Sequence, residues 1–511
     1  MGTRTFNIPE RFLRHIWKHQ YVDGESLKTI DNRVVRVLDA GTMNTDAGPD
    51  FLDAVIRIGR TTYHGDVEIH RTQTEWLDHR HQDDPRYNKV VLHVVLERQP
   101  VQPATRVTSG RCIPVLALSP FLSESIRTLW LKTILDEDAF HRQKIPCADQ
   151  NHAVDSGLLD ALIHRLAIER LELKLRRFDE RLKELAQTQP FAVHDARGRR
   201  SGWYVQGDPD DVPPPRVELT QKDLAQRALW DQLLYEGFSE GAGYSKNREP
   251  FVRLSRAVTL STIRSMKIDN NEEALLALLL GAAGLLPKLK EVRDAESRSF
   301  VRMLSKEWKT YRKLYRSVVL HRADWQFFPT RPGNFPPLRI AAVAAIARSI
   351  LCEDLFRKIV EVLKSSEDSS GKIRSMRSLL SVEPHPFWNH HYQFDHPTTK
   401  RIRPLGTDRT DVIIVNAIIP LSLLYARTFR DRRVREGALQ LFQSMPPAMD
   451  NSITRLMQRQ LLKERMSLTS VGAQQGVIQL YKFYCQEERC AECDVGARCL
   501  PEQNSKKRPH Q

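Results

Sequence analysis

The sequence predicts an α+β protein in which a mixed sheet of element order αβββαβ is followed by a large, mostly α-helical body. Up to about residue 125, short runs rich in β-branched residues dominate. From about residue 126, apolar residues recur at helical spacing almost to the end. Residues 188–218 interrupt the helical part with a stretch rich in Pro, Gly and Asp, the composition of a flexible loop or linker. The expected organisation is an α/β domain over 1–125, a helical body over 126–187 and 219–510 with the linker 188–218 between its parts, and a cysteine tail over 485–499.

The elements follow in order. ERFLRHIWKHQ (10–20) reads as an amphipathic helix; RVVRVLDAG (33–41), FLDAVIRIG (51–59) and TTYHGDVEIH (61–70) read as strands. TQTEWLDHRH (72–81) is a short helical segment before a fourth strand, KVVLHVVLE (89–97). Beyond these, SGLLDALIHRLAIERLELKLRRF, LWDQLLYEGF, EEALLALLLGAAGLL and LRIAAVAAIARSIL carry apolar residues at helical spacing. At 511 residues and 41% hydrophobic content, the chain can bury a large core spread over about two to four domains.

No run of about twenty uncharged apolar residues appears. ALLALLLGAAGLLP is too short, VIIVNAIIPLSLLYA is broken by Pro420, and both read as buried core helices. MGTRTFNIPERF lacks the apolar centre of a signal peptide, so a cytoplasmic protein with no membrane partner is expected. The net charge of +15 favours a polyanion such as nucleic acid. Much of that charge lies in helical segments (165–185 and 427–437), where a solvated face is the simpler reading.

The chemistry concentrates in AGPDFLDAVIRIGRTTYHGDVEIHRTQTEWLDHRHQDD (47–84). Asp50 opens one strand; Asp66, Glu68 and His70 alternate along the next and so share a face. Phosphodiester hydrolysis needs charge neutralisation and an activated water, and a divalent ion on carboxylates serves both demands. His79 and His81, followed by Asp83 and Asp84, offer further donors suited to Zn²⁺ or Mn²⁺. His93 either faces the same pocket or is a satisfied core histidine.

The element order together with GPDF and VEIH resembles the PD-(D/E)xK phosphodiesterases and their restriction-endonuclease-like core. That resemblance implies a metal-dependent nuclease with Mg²⁺ or Mn²⁺ on Asp50 and Glu68. His70 stands where the family has its lysine, and Glu10 on the first helix is the further acid. The missing lysine keeps open an alternative, a catalytically inactive nucleic-acid-binding or assembly protein.

In the tail, Cys485, Cys490, Cys493 and Cys499 are spaced C-x4-C-x2-C-x5-C, suited to Zn²⁺ or a [4Fe–4S] cluster. The spacing is similar to the cluster loop of helix-hairpin-helix DNA glycosylases, with a first gap two residues shorter. Lys246 and Arg248 in GYSKNREPF, and Arg331 and Arg339 in PTRPGNFPPLR, are candidate phosphate contacts, with an inter-helix loop and a rigid helix-capping turn as the alternatives. No phosphate-cradling glycine loop or dinucleotide fingerprint is present, which disfavours nucleotide hydrolysis and dinucleotide chemistry. NTDAGPDFLDAVIRIG, the 65–95 segment, RPGNFPPLRIAAVA, IIVNAIIPLSLLYA and the tail together resemble the uncharacterised bacterial family numbered 2851 among the domains of unknown function, from about residue 10 to 500. That family implies no particular activity.

Overall fold

The structure, a computed structural model, describes residues 10–44, 48–98, 104–126, 128–130, 144–188, 219–327, 332–448 and 451–500. The chain divides into two compact units, one formed by Met1–Asp136 with Lys482–Arg489 and the other by Glu137–Tyr481 with Cys490–Gln511.

In the first unit, helix α1 (Glu10–His19) buries Phe12, Leu13, Ile16 and Trp17. Strands β1 (Val35–Asp39), β2 (Thr42–Met43), β3 (Phe51–Ile58) and β4 (Thr61–His70) come next. After helix α2 (Glu75–Asp78) come β5 (Val90–Val95) and β6 (Val115–Ala117). The sheet order is β1-β3-β4-β5-β6, with β2 also paired to β3. The β1–β3 and β3–β4 pairs are antiparallel, whereas β4–β5 and β5–β6 are parallel. A parallel pair needs a crossover, and α2 lies in the one between β4 and β5. The expected mixed sheet is present, extended by the two short strands β2 and β6.

Two local features align β4 with its neighbours. A side chain at Gly65 would meet the Lys89 carbonyl at 2.4 Å, so only glycine lets β5 approach this closely. In β3, Asp53 adopts φ 57° at a bulge and donates its N–H to Asp66 Oδ1 at 3.1 Å. Residues 66–70 and all of β5 are buried, as expected of strands covered on both faces.

The second unit is helical. Its longest helix, α3 (Ser156–Thr188), packs against α9 (Val471–Leu480), and a side chain at Gly476 would meet the Ile163 carbonyl at 2.1 Å. The core is drawn from α4 (Arg227–Ala242), α5 (Tyr244–Ala257), α6 (Glu272–Ala282), α7 (Pro336–Glu353) and α8 (Thr407–Phe429). The expected linker lies outside the described residues except for Thr188, the last residue of α3.

Two sequence expectations fail here. Pro420 does not break α8, because a π-turn over Ile414–Ile418 precedes it and relieves the backbone register where proline has no N–H to give. Among the described residues α8 is the one helix long and apolar enough to cross a membrane, and 67% of its most apolar window is buried within the protein. GYSKNREPF is not an inter-helix loop; from Tyr244 onward it is α5, with Pro250 inside it. Burial of Phe251 and Leu254, and the paired hydrogen bonds of Asn247 with Gln326 at 2.9 and 2.8 Å, outweigh the bond lost at the proline.

Candidate metal centre

Three imidazoles come together at the C-terminal end of β4, with the Glu68 carboxylate beside two of them. His70 Nε2 lies 3.1 Å from His79 Nδ1, 3.3 Å from His81 Nε2 and 3.5 Å from Glu68 Oε1, and His81 Nε2 lies 3.4 Å from the same Glu68 oxygen. The ligand atoms of His70, His79 and His81 all fall within 4.8 Å of one another. A ring nitrogen presents one lobe in its plane, either a lone pair or an N–H. His70 Nε2 therefore cannot satisfy three neighbours by hydrogen bonding. A cation among the three imidazoles satisfies them together, with Glu68 beside it, and tetrahedral bonds of 2.0–2.1 Å would place ligand atoms about 3.3–3.4 Å apart.

Local structure explains the convergence. Glu68 and His70 are two apart on a strand and project from one face. His79 closes α2, and Arg80 then takes the left-handed conformation at φ 59°, reversing the chain so that His81 returns to the same point. Arginine has no special tolerance for that region. Arg80→Gly is therefore expected to leave metal affinity unchanged, whereas Arg80→Val should weaken it by about tenfold or more, from strain of about 1–3 kcal/mol. Competition titration with a chromophoric chelator measures both.

Around the donors stands a hydrogen-bonded second layer. His70 Nδ1 meets His93 Nε2 at 2.9 Å, His93 Nδ1 meets Thr105 Oγ1 at 3.2 Å, and Gln73 Nε2 donates to that hydroxyl at 3.2 Å. With His70 Nε2 turned to a cation, its Nδ1–H donates to His93, whose own Nδ1–H donates to Thr105. Glu68 Oε2 accepts the Asp50 N–H at 2.9 Å. Asp50 Oδ2 accepts the Ile69 N–H at 3.1 Å, and its Oδ1 pairs with Arg14 Nε at 2.9 Å. Arg14 in turn pairs with Glu10 at 2.6 Å, one turn back on α1.

An aromatic wall completes the site. Trp76 is fully buried, with its ring 5.3 Å from that of His81 and 5.1 Å from that of His93, and Tyr87 stacks on His81 at 3.9 Å. Burial pushes His93 down to about 3 and His81 down to about 4, and drives His70 lower still, with neighbouring imidazoles adding to the effect. These rings are therefore neutral, with lone pairs available, at physiological pH. Burial and then the neighbouring Asp50 raise Glu68, a cost that a bound cation reverses. His79 is exposed and gives the centre one open side.

Of the residues expected from sequence, Glu68, His70, His79 and His81 come together. Asp50 stands one step back, its carboxylate engaged by Arg14 and the Ile69 amide. Glu10 is a further step out, and Asp66 accepts the Asp53 amide at the β3 bulge. Sequence reasoning missed Arg14, which supplies beside the carboxylates the permanent cation that His70 cannot. Its only signal is the i,i+4 spacing from Glu10.

The expected phosphate contacts are scattered. Arg339 is buried and donates to Asn334 Oδ1 at 2.6 Å. Arg248 faces Glu240 at 3.5 Å, Lys246 lies in the first turn of α5, and Arg331 falls outside the described residues. Cys485 belongs to the first unit, and Cys490, Cys493 and Cys499 to the second.

A family model described as protein of unknown function (DUF2851) matches residues 10–194 and 216–451. The chain belongs to this family. Searches of curated proteins and of solved structures return no match. In this DUF2851 chain the matched span holds the whole centre, from Glu10 to Thr105, and ends before the cysteine tail.

Proposed function

We propose that the first unit is a metal-dependent phosphodiesterase acting on nucleic acid, with a restriction-endonuclease-like sheet carrying one divalent ion on His70, His79 and His81, and Glu68 beside it. The observation that carries this reading is the grouping of three imidazole ligand atoms within 4.8 Å of one another, with a Glu68 oxygen 3.4–3.5 Å from two of them. Imidazole donors suit Zn²⁺ or Mn²⁺ better than the Mg²⁺ of an all-carboxylate site. Such an ion polarises a phosphoryl oxygen and lowers the pKa of a bound water. Glu68 would take that water's proton, and Arg14 with Asp50 holds the strand that presents it. The net charge of +15, and the exposed Arg71, Arg80 and Arg86 near the donors in sequence, support a polyanionic substrate.

A second reading has its own support. With Glu68 as a fourth ligand, the protein donors close a tetrahedron with no position left for substrate, which is the pattern of a structural ion. That would fit a nuclease-like core kept as a binding or assembly module. Glu68→Gln separates the two. In the hydrolase this variant keeps its metal and loses about 10²–10⁴ in cleavage of single- or double-stranded DNA or RNA with Mn²⁺ or Zn²⁺. A metal-loaded wild type that cleaves none of these substrates, with a Glu68→Gln variant that loses both metal and stability, would establish the structural reading.

A further inference from the structure

We infer that the helical unit carries a second, thiolate metal centre formed by Cys147, Cys490, Cys493 and Cys499, holding an iron–sulfur cluster or a zinc ion. The sequence suggests Cys485 as the fourth thiol; the fold of this unit supplies Cys147 instead, from a distant part of the chain.

Three of the four cysteines sit on one short segment. Cys490 opens a 3-10 turn, Cys493 caps α10 (Asp494–Cys499) and Cys499 ends it. The Cys493 N–H donates to the Cys490 carbonyl at 3.2 Å. A side chain at Gly496 would lie 2.5 Å from the Cys490 carbonyl and 2.9 Å from its Cβ, so glycine allows α10 to fold directly onto Cys490. An ion pair of Asp494 with Arg165 at 3.0 Å ties α10 to α3.

Cys147 reaches this segment through a turn that is itself tightly held. Gln150 N–H donates to the Cys147 carbonyl at 3.1 Å, and the fully buried Asn151 donates to the carbonyls of Ala148 at 3.3 Å and Gln460 at 2.8 Å. Arg465 donates to Asn151 Oδ1 at 2.9 Å and to the Val154 carbonyl at 3.1 Å. The 3-10 turn Asn151–Ala153 packs on α10.

Cys147, Cys490 and Cys493 are buried, Cys499 is half-buried, and no disulfide engages Cys147, Cys493 or Cys499. Burial, followed by the sulfurs of Cys499, Cys493 and Cys490, pushes the Cys147 thiol up to about 12. Thiolates gathered on one segment repel one another, and a thiophilic cation converts that repulsion into attraction. Arg465, close enough to favour the Cys499 thiolate, offsets part of the charge. Four thiolates around one centre suit both zinc and an iron–sulfur cluster.

The test uses the full-length chain prepared without oxygen, in the His70→Ala background so that the imidazole centre contributes no metal. Iron with equimolar sulfide identifies a cluster; zinc alone identifies a single ion. Cys147→Ser is expected to lose the metal or to release it to a chelator at least about tenfold faster, while Cys485→Ser behaves as the parent. Alkylation of the unmutated chain, read by mass spectrometry, gives a measure independent of variant folding. Cys147, Cys490, Cys493 and Cys499 should react only after the metal is stripped, while the exposed Cys112 reacts throughout. A metal-free anaerobic protein, unprotected Cys147, or loss of metal from Cys485→Ser but not from Cys147→Ser would overturn the assignment.

Discussion

His70→Ala is expected to reduce metal binding at the imidazole centre to background and to abolish phosphodiester cleavage. His70 Nε2 is the hub of the site, within 3.5 Å of all three other donors, and the ring is fully buried. Loss of an outer-layer partner commonly costs about 10–100-fold in metal affinity, so loss of a residue that bonds the ion should cost more than about a hundredfold. Zinc affinity measured by competition reads this directly. His64→Ala is the matched control, because His64 lies on the same strand with an exposed side chain and should bind metal as the wild type does.

Trp76→Ala is expected to cost about 3–5 kcal/mol in stability and to loosen the metal as well. The indole is fully buried against His81, His93 and Tyr87, and its Nε1–H donates to the Arg106 carbonyl at 2.9 Å. Trp76→Phe keeps an aromatic ring but leaves that carbonyl without its donor, so about 1–3 kcal/mol of the loss should remain. Urea unfolding of the metal-free protein gives the stability term. Zinc dissociation rates give the effect on the centre, and both variants should release the ion faster than wild type.

The mixed sheet and the pair Glu68 and His70 are legible in the sequence because strand alternation has a period of two and the chemistry lies at its i, i+2 positions. His79 and His81 are legible as donors, but their aim is not. It depends on a left-handed arginine at position 80, which no composition signal marks. Asp50 reads as a ligand because the motif it resembles uses an aspartate there. In the fold, its two oxygens are taken by Arg14 and the Ile69 amide, a long-range arrangement that spacing does not encode. Cys147 escapes notice for the same reason, since only tertiary packing of the Asn151–Ala153 turn on α10 brings it near the tail. Pro420 and Pro250 show local propensity yielding to packing, each lying in a helix whose neighbours bury it.

The imidazole centre is tested most directly by X-ray absorption at the zinc edge, on Cys147→Ser protein loaded with one equivalent of zinc. The expected spectrum has about four nitrogen and oxygen neighbours at 2.0–2.1 Å, with the outer-shell scattering of imidazole rings, and loses that scattering in the His81→Ala protein. A sulfur shell near 2.3 Å, or a spectrum that His81→Ala leaves unchanged, would contradict it.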